Sequence, residues 1–559
     1  MEIARMSLGA PAIGRATGRT RARACASVAL ALIIAGATGA QKARPDFLVP
    51  DPGFAELGAL PDPLGPADLG RAALLASGVA PERAAAYETR LAGLYDELRA
   101  RLGKVAEPAA EGEAILGFLH ERVFTAYVET ATTLDGVLDK GLYNCVSSAV
   151  LYSLAAKSLG LEVEGVRTSD HAFCSLLAGG RRIDVETTNP YGFDPGNKKE
   201  FKDSFGRATG YAYVAPGGYG DRKDIGDRAL VGLILSNRAS FLERAGRFAE
   251  AVRVGADYDE LCRDADSRDF LAGRINNLVA DSGTRGDFAR AADLAAAAAA
   301  AYPGEARLAA LSLTAAYNRA AALARSGDWA GAFDLATLRS ETPAAPGGQA
   351  ARLLGPDGTP APTASEWAEL ASKSLDGLAQ SYAAGGEYAE ARRAVAERAS
   401  RADPAAASKA YADIGEEELV NAANRLPFAE AERTADRVYA AGEVSASRYA
   451  EASAAIYGNE AGRLGKGGDW LGGASLAERG AAKLRAAGAP GDAGLAQFAR
   501  GLRRNFAVEA HNRFAGLYNA GDYAGAEAEI RKALASLPGD PSLESDLKAA
   551  TEAQGARPQ

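Results

Sequence analysis

Only three histidines and four cysteines occur in the 559 residues, and one histidine and two of the cysteines fall within residues 143–196. Cys145 follows Asn144 at the head of CVSSAVLYSLAAKSLG, His171 opens HAFCSLL, and Asp184 and Glu186 stand together in RRIDVETT. A cysteine in the first turn of a helix lies against exposed backbone N–H groups and the positive end of the helix dipole. These favour a thiolate and can hold a developing oxyanion. An imidazole within reach supplies a base, and a carboxylate behind it orients the ring and stabilises its protonated form. The chemistry this implies is nucleophilic attack on a carbonyl, with Cys145 as nucleophile and His171 as base. His120, in an amphipathic helix, and His511, in the last helical repeat, read as surface or packing residues.

The elements that must position these side chains can be read from the same stretch. Asn144 is a favoured N-cap, which predicts a helix from Cys145 to about Leu159, closed by Gly160. LEVEGVRT (161–168), HAFCSLL (171–177), RRIDVETT (181–188) and GYAYVAP (210–216) alternate like strands of an antiparallel sheet. A hairpin around Gly179-Gly180 with a two- or four-residue loop puts His171, Phe173 and Ser175 on one face with Asp184, Glu186 and Thr188. Parity leaves open which of Asp184 and Glu186 lies nearer the imidazole. Cys174 points to the opposite face and reads as core, so a His171/Cys174 metal site is disfavoured. A glycosidase pair of Asp184 and Glu186 is disfavoured too, as is a phosphate loop at Gly217, Gly218 and Gly220, which lacks the following Lys and Ser/Thr. Tyr143, Asn144, Asn189 and Tyr191 either line a substrate groove or satisfy turn backbone; the first three are the candidate substrate contacts.

A cysteine opening a helix, a histidine starting a strand and an aspartate on the next strand resemble the transglutaminase-like core of the papain-like cysteine enzymes. The resemblance covers roughly residues 110–215. It implies an α+β domain in which Cys145 is nucleophile, His171 base and Asp184 orienting acid. The implied enzyme is a peptidase, amidase or acyl transferase working on protein or peptide amides without a cofactor. The chain departs from the family where VETTNP (185–190) replaces a short Asp-Pro ending and no tryptophan follows, which leaves the substrate class open. The rival reading is a non-catalytic cell-envelope scaffold or assembly factor with a degenerate domain.

From about Asp227 the pattern is helical, and a short phrase recurs: GRFAEA (246–251), GDFARA (286–291), GDWAGA (327–332), GEYAEA (386–391), PFAEA (427–431), a weaker GDWLGG (468–473) and GDYAGA (521–526). Glycine allows a tight turn, the aromatic wedges between helices, and the small residue three further on lets backbones approach. In the last copy Tyr523 is followed by Ala526, Ile530, Ala533 and Pro538, which resembles the tetratricopeptide repeat. Anchors recurring about every forty residues or more exceed that family's usual period and imply longer helices or extra turns. The resemblance implies an all-α solenoid whose concave surface takes a protein or peptide partner. The anchoring aromatics are expected to be buried, and a Pro/Gly-rich loop (341–367) to project from the stack.

The expected organisation is a signal peptide over 1–40, an extended linker over 41–70, the transglutaminase-like domain over 71–222, the solenoid over 227–545 and a disordered tail over 546–559. The signal reading rests on five arginines before the apolar run ACASVALALIIAG (24–36) and on small residues around Ala37 and Ala40. That run is too short to span a membrane comfortably, so the expectation is a periplasmic or secreted protein with no stable membrane span. The formal charge of −9 becomes more negative without the arginine-rich start, which argues against nucleic acid as partner. Cys145, Cys174 and Cys262 would remain, an odd number without a C-x-x-C pair, so neither a disulfide framework nor a structural metal is expected.

Overall fold

The computed structural model describes residues 45–49, 54–61, 63–103, 107–196, 198–209, 220–340 and 353–555. The signal-peptide reading (1–40) and the strand expected over 210–216 lie outside these residues, as does much of the Pro/Gly-rich loop.

The N-terminal part is α+β. A 3-10 turn (Asp46–Leu48) precedes α1 (Phe54–Ala59), α2 (Pro66–Ala76), α3 (Pro81–Leu102) and α4 (Pro108–Arg122). A proline opens each of α2, α3 and α4, where its missing N–H costs nothing and its fixed φ suits the first turn. Next come β1 (Ala126–Tyr127), α5 (Leu134–Lys140), β2 (Leu142–Tyr143), α6 (Cys145–Ser158), β3 (Glu162–Arg167), β4 (Ala172–Ala178), β5 (Arg181–Val185), α7 (Lys199–Thr209) and β6 (Lys223–Ile225). β1 and β2 form a short parallel pair, whereas the other four strands make an antiparallel sheet in the order β5-β4-β3-β6. Helix α6 packs on that sheet and is buried over Val146–Ala156, with Val150, Leu151 and Leu154 in one core with Cys174 and Leu176.

The remainder is all helix: α8 (Asp227–Arg244), α9 (Phe248–Cys262), α10 (Ala265–Thr284), α11 (Phe288–Ala301), α12 (Ala306–Arg325), α13 (Trp329–Ser340), α14 (Ala364–Ala383) and α15 (Tyr388–Ala396). These are followed by α16 (Pro404–Arg425), α17 (Phe428–Ala440), α18 (Ala446–Lys466), α19 (Trp470–Ala486), α20 (Asp492–Asn519), α21 (Tyr523–Ser536) and α22 (Pro541–Gly555). Consecutive helices pack on each other, and from α10 onward each even-numbered helix also touches the next even one, as in a stacked array. Every recurring aromatic is the first residue of its helix. The glycine before it takes a left-handed φ of 74° at Gly246 and 90° at Gly468, and Asp287, Asp469 and Asp522 cap the new helix through their side chains. The small residues Ala251, Ala291, Ala332, Ala391, Ala431 and Ala526 are all buried. Phe248, Phe288, Trp329, Tyr388, Phe428, Trp470 and Tyr523 are half-buried rather than sealed, because a side chain at the first helical position lies at the rim of the helix pair.

Three boundaries differ from the sequence reading. The expected extended linker contains the 3-10 turn and α1. Leu48 is buried among Val252, Leu271 and Ile275, while Phe54 and Leu57 join the N-terminal core, because a Leu/Phe-rich segment can cover two apolar surfaces at once. The expected break between 222 and 227 is not a gap in the core: Leu230, Val231, Ile234 and Leu235 of α8 pack with α2, α6 and β3 residues. The expected disordered tail is helical to Gly555, with Leu543, Asp546 and Ala550 buried against α20 and α21. Helix α22 lays one apolar stripe on the array, which its high polarity had hidden. Among the described residues no helix is long and apolar enough to cross a membrane.

Candidate active site

The helix carrying Cys145 is capped as its sequence implies. Asn144 Oδ1 accepts from the backbone N–H groups of Val146 and Ser147, both at 3.0 Å, and Ser147 Oγ accepts from the Asn144 N–H at 2.9 Å. Asn144 Nδ2 donates to the Glu129 carbonyl at 2.9 Å and Ser147 Oγ to that of Ala131 at 2.7 Å, which ties the 128–132 loop to the helix start. The cap therefore consumes two of the N–H groups expected to face an oxyanion. The Cys145 N–H is the donor of that turn that the cap does not use. Cys145 itself is half-buried and unpaired to other cysteines.

His171 precedes β4, with its backbone N–H held by Thr168 Oγ1 at 3.1 Å. Its Nε2 lies 2.6 Å from Glu186 Oε2, and its imidazole also hydrogen-bonds the Cys145 side chain. Burial by itself would depress the imidazole's pKa. The Glu186 carboxylate and the Cys145 sulfur outweigh it and hold the ring well above its usual value. Glu186 is 3% exposed, and its second oxygen accepts from the Thr188 N–H at 3.2 Å and from Thr188 Oγ1 at 2.7 Å. This buried carboxylate is thus fully hydrogen-bonded.

Asp184, the acid that the family resemblance assigned to His171, is elsewhere. The hairpin loop is two residues long, so Ser175 stands directly opposite Asp184. Asp184 accepts from Ser175 Oγ at 2.7 Å and forms a two-pronged pair with Arg222 at 2.8 and 2.9 Å. Four residues separate Ser175 from His171, roughly 13 Å along a strand. Glu186, two residues further along β5's path on the same face, is the acid within reach. Parity brought both acids to the right face, and the register chose between them.

The three candidate substrate contacts are committed to the protein itself. Tyr143 is 6% exposed, its hydroxyl donating to the Thr188 carbonyl at 3.3 Å. Asn144 is the helix cap. Asn189 is buried, donating to Ser204 Oγ at 2.7 Å and accepting from the Tyr191 N–H at 3.0 Å. Of this group only Tyr191 is open, at 53%. Cys174 is sealed on the far face with its thiol donating to the Ala149 carbonyl at 3.3 Å, and burial raises its pKa strongly. Burial likewise pushes Cys262 up to about 12.

One site residue went unread in the sequence. The sequence reads His120 on α4 as a surface or packing residue, yet its Nε2 lies 3.0 Å from the Thr187 carbonyl, next to Glu186. The apolar residues Ile115, Leu116 and Leu119 bury this face of α4; periodicity alone would have placed His120 at its edge, but nothing local shows what it meets. Among the described residues no group of three or more His, Cys, Asp or Glu side chains is placed to hold a metal ion.

Comparison with known proteins finds no matching family model and no curated protein that matches this chain.

Proposed function

We propose that this chain is an exported, cysteine-dependent enzyme of the transglutaminase-like kind, joined to tetratricopeptide-like helical repeats that bind a protein or peptide. The observation that carries the reading is the continuous contact from Cys145 through His171 to Glu186, with the cysteine at a helix N-terminus. In this reading the Cys145 thiolate attacks an amide carbonyl while the imidazolium of His171 faces it. The tetrahedral oxyanion is held by the Cys145 N–H and the helix dipole. His171 then gives its proton to the leaving amine, which departs as the C–N bond breaks. Water or a second amine, deprotonated by the now neutral imidazole, resolves the thioester and regenerates the thiol. Glu186 keeps the ring oriented and stabilises its cationic form throughout. No step asks for a cofactor.

The scaffold reading is favoured by a different observation: Tyr143, Asn144 and Asn189 all spend their polar atoms within the protein. The two readings part on the thiol. With the imidazolium beside it, Cys145 is expected to react with iodoacetamide at mildly acidic pH well ahead of Cys174 and Cys262, and His171→Ala to slow that labelling. A native Cys145 that labels no faster than Cys262 would leave the scaffold. Export is checked separately by the N-terminal mass of the mature protein, expected to begin near Thr38 or Gln41.

A further inference from the structure

We infer that His120 is a positioning residue of this site: a neutral imidazole that clamps the Glu186-bearing segment in place for His171. The inference rests on the proposed catalytic role of Cys145, His171 and Glu186.

β5 stops hydrogen-bonding to β4 after Val185, so Glu186, Thr187 and Thr188 leave the sheet and need other anchors. Thr187 is fully buried and held from two helices. His120 of α4 meets its carbonyl at 3.0 Å, and Ser148 of α6, one turn beyond Cys145, meets its hydroxyl at 2.8 Å. Thr188 is held through its carbonyl by Tyr143, while its own N–H and hydroxyl hold Glu186. The stretch VETTNP, where the sequence departs from the family ending, is thus a built cradle for the acid. His120 is one of its clamps.

The contact also defines the state of the ring. A backbone carbonyl only accepts, so His120 Nε2 must carry the proton and donate. The ring is wedged edge-on between Phe124, at 5.0 Å between centroids, and Tyr143, at 5.8 Å. Burial of the ring favours a neutral imidazole, and outweighs the Thr187 carbonyl and the Glu186 charge, which pull toward the cation. Neutrality matters for the chemistry, because a second cation here would compete with His171 for the single negative charge of Glu186. A histidine supplies a rigid neutral donor of the right length where lysine or arginine would bring that competing charge.

The test compares the rate of Cys145 alkylation by iodoacetamide, as a function of pH, in the full-length wild type, His120→Leu and His120→Gln. Losing the donor in His120→Leu is expected to slow labelling by roughly tenfold to a hundredfold and to move the acidic limb of the profile to higher pH, as Glu186 loosens. Gln, which keeps a neutral donor, is expected to restore both the rate and the limb. A folded His120→Leu protein with the wild-type profile overturns the inference. The wild type gives a second measurement that needs no variant: 15N NMR near neutral pH should report His120 as the neutral Nε2–H tautomer, and an imidazolium or Nδ1–H signature overturns it. If wild-type Cys145 shows no preferential labelling, the catalytic reading itself falls, and this inference with it; preferential labelling that is indifferent to His120 removes this inference alone.

Discussion

Two imidazoles flank one carboxylate and are pushed in opposite directions. Burial takes His120 from the usual 6.5 down to about 4, the Thr187 hydrogen bond and the Glu186 charge only partly opposing it. His171 is raised well above that value. The titratable groups facing His120 are Glu186 and the Tyr143 phenol. The signs for stability follow. A depressed histidine leaves the unfolded chain holding more protons between pH 6.5 and about 4, so its share of stability is lost as pH falls through that window. A raised histidine contributes fully below its unfolded value, and that share is lost as pH rises through its folded pKa. Urea unfolding across pH is therefore expected to show a loss on the alkaline side that Glu186→Gln abolishes, and an acid-side loss that His120→Gln reduces. Glu186→Gln should also cost about 3 kcal/mol, since removing one partner leaves the other buried and uncompensated. Asp184→Asn should disturb Arg222 instead, leaving Cys145 labelling within a factor of about two, because that acid never reaches the imidazole; a larger loss with Asp184 than with Glu186 would reverse the assignment.

At the scale of elements, caps and close approaches do the positioning. Asn144 satisfies two helix-end donors and fastens the 128–132 loop, so Asn144→Ala is expected to cost about 1–2 kcal/mol and to slow Cys145 labelling as the helix start frays. Among the repeats, one close fit between neighbouring helices is at Gly377 on α14. A Cβ there would lie 2.6 Å from the Trp329 indole at the head of α13. Gly377→Ala should therefore destabilise by about 1–3 kcal/mol through overpacking, despite alanine's better helix propensity. Trp329→Ala should cost less than a sealed tryptophan, about 2 kcal/mol, because this ring sits half in solvent. Calorimetry on both variants checks the pair; a stabilised Gly377→Ala would mean that the two helices are further apart.

For the molecule as a whole, the first repeat helix belongs to the core of the site-bearing part. Leu230, Val231, Ile234 and Leu235 are each fully buried there, and Lys157 of α6 pairs with Asp227 at 3.1 Å. The N-terminal strap adds to the seam, Arg228 donating to the Pro61 carbonyl at 3.0 Å and Leu48 plugging the next helix pair. A fragment ending at residue 222 should consequently fail to unfold cooperatively by circular dichroism, and one extended to residue 262 should recover a transition. A cooperative fragment ending at 222 would show that the seam is dispensable.

Much was legible from the chain alone because it is local. Asn144 and Gly160 bracket a helix that runs Cys145–Ser158, the strand alternation recovered β3, β4 and β5, and the recurring aromatic–small phrase marked the start of each second helix from α9 to α21. Caps, turns and periodicities involve neighbours a few residues apart, so they are written in order along the chain. The identity of the acid behind His171 was not legible, since Asp184 and Glu186 share a face and only the two-residue hairpin register separates them. The place of His120 beside Thr187, across 67 positions, was equally hidden. So were the burial of Leu48, the shared core around α8 and the packing of α22 on α20 and α21. Each of these depends on which apolar surface a segment finds once distant elements have packed. Hydrophobic burial carries no direction along the sequence, and only the assembled tertiary structure assigns its partners.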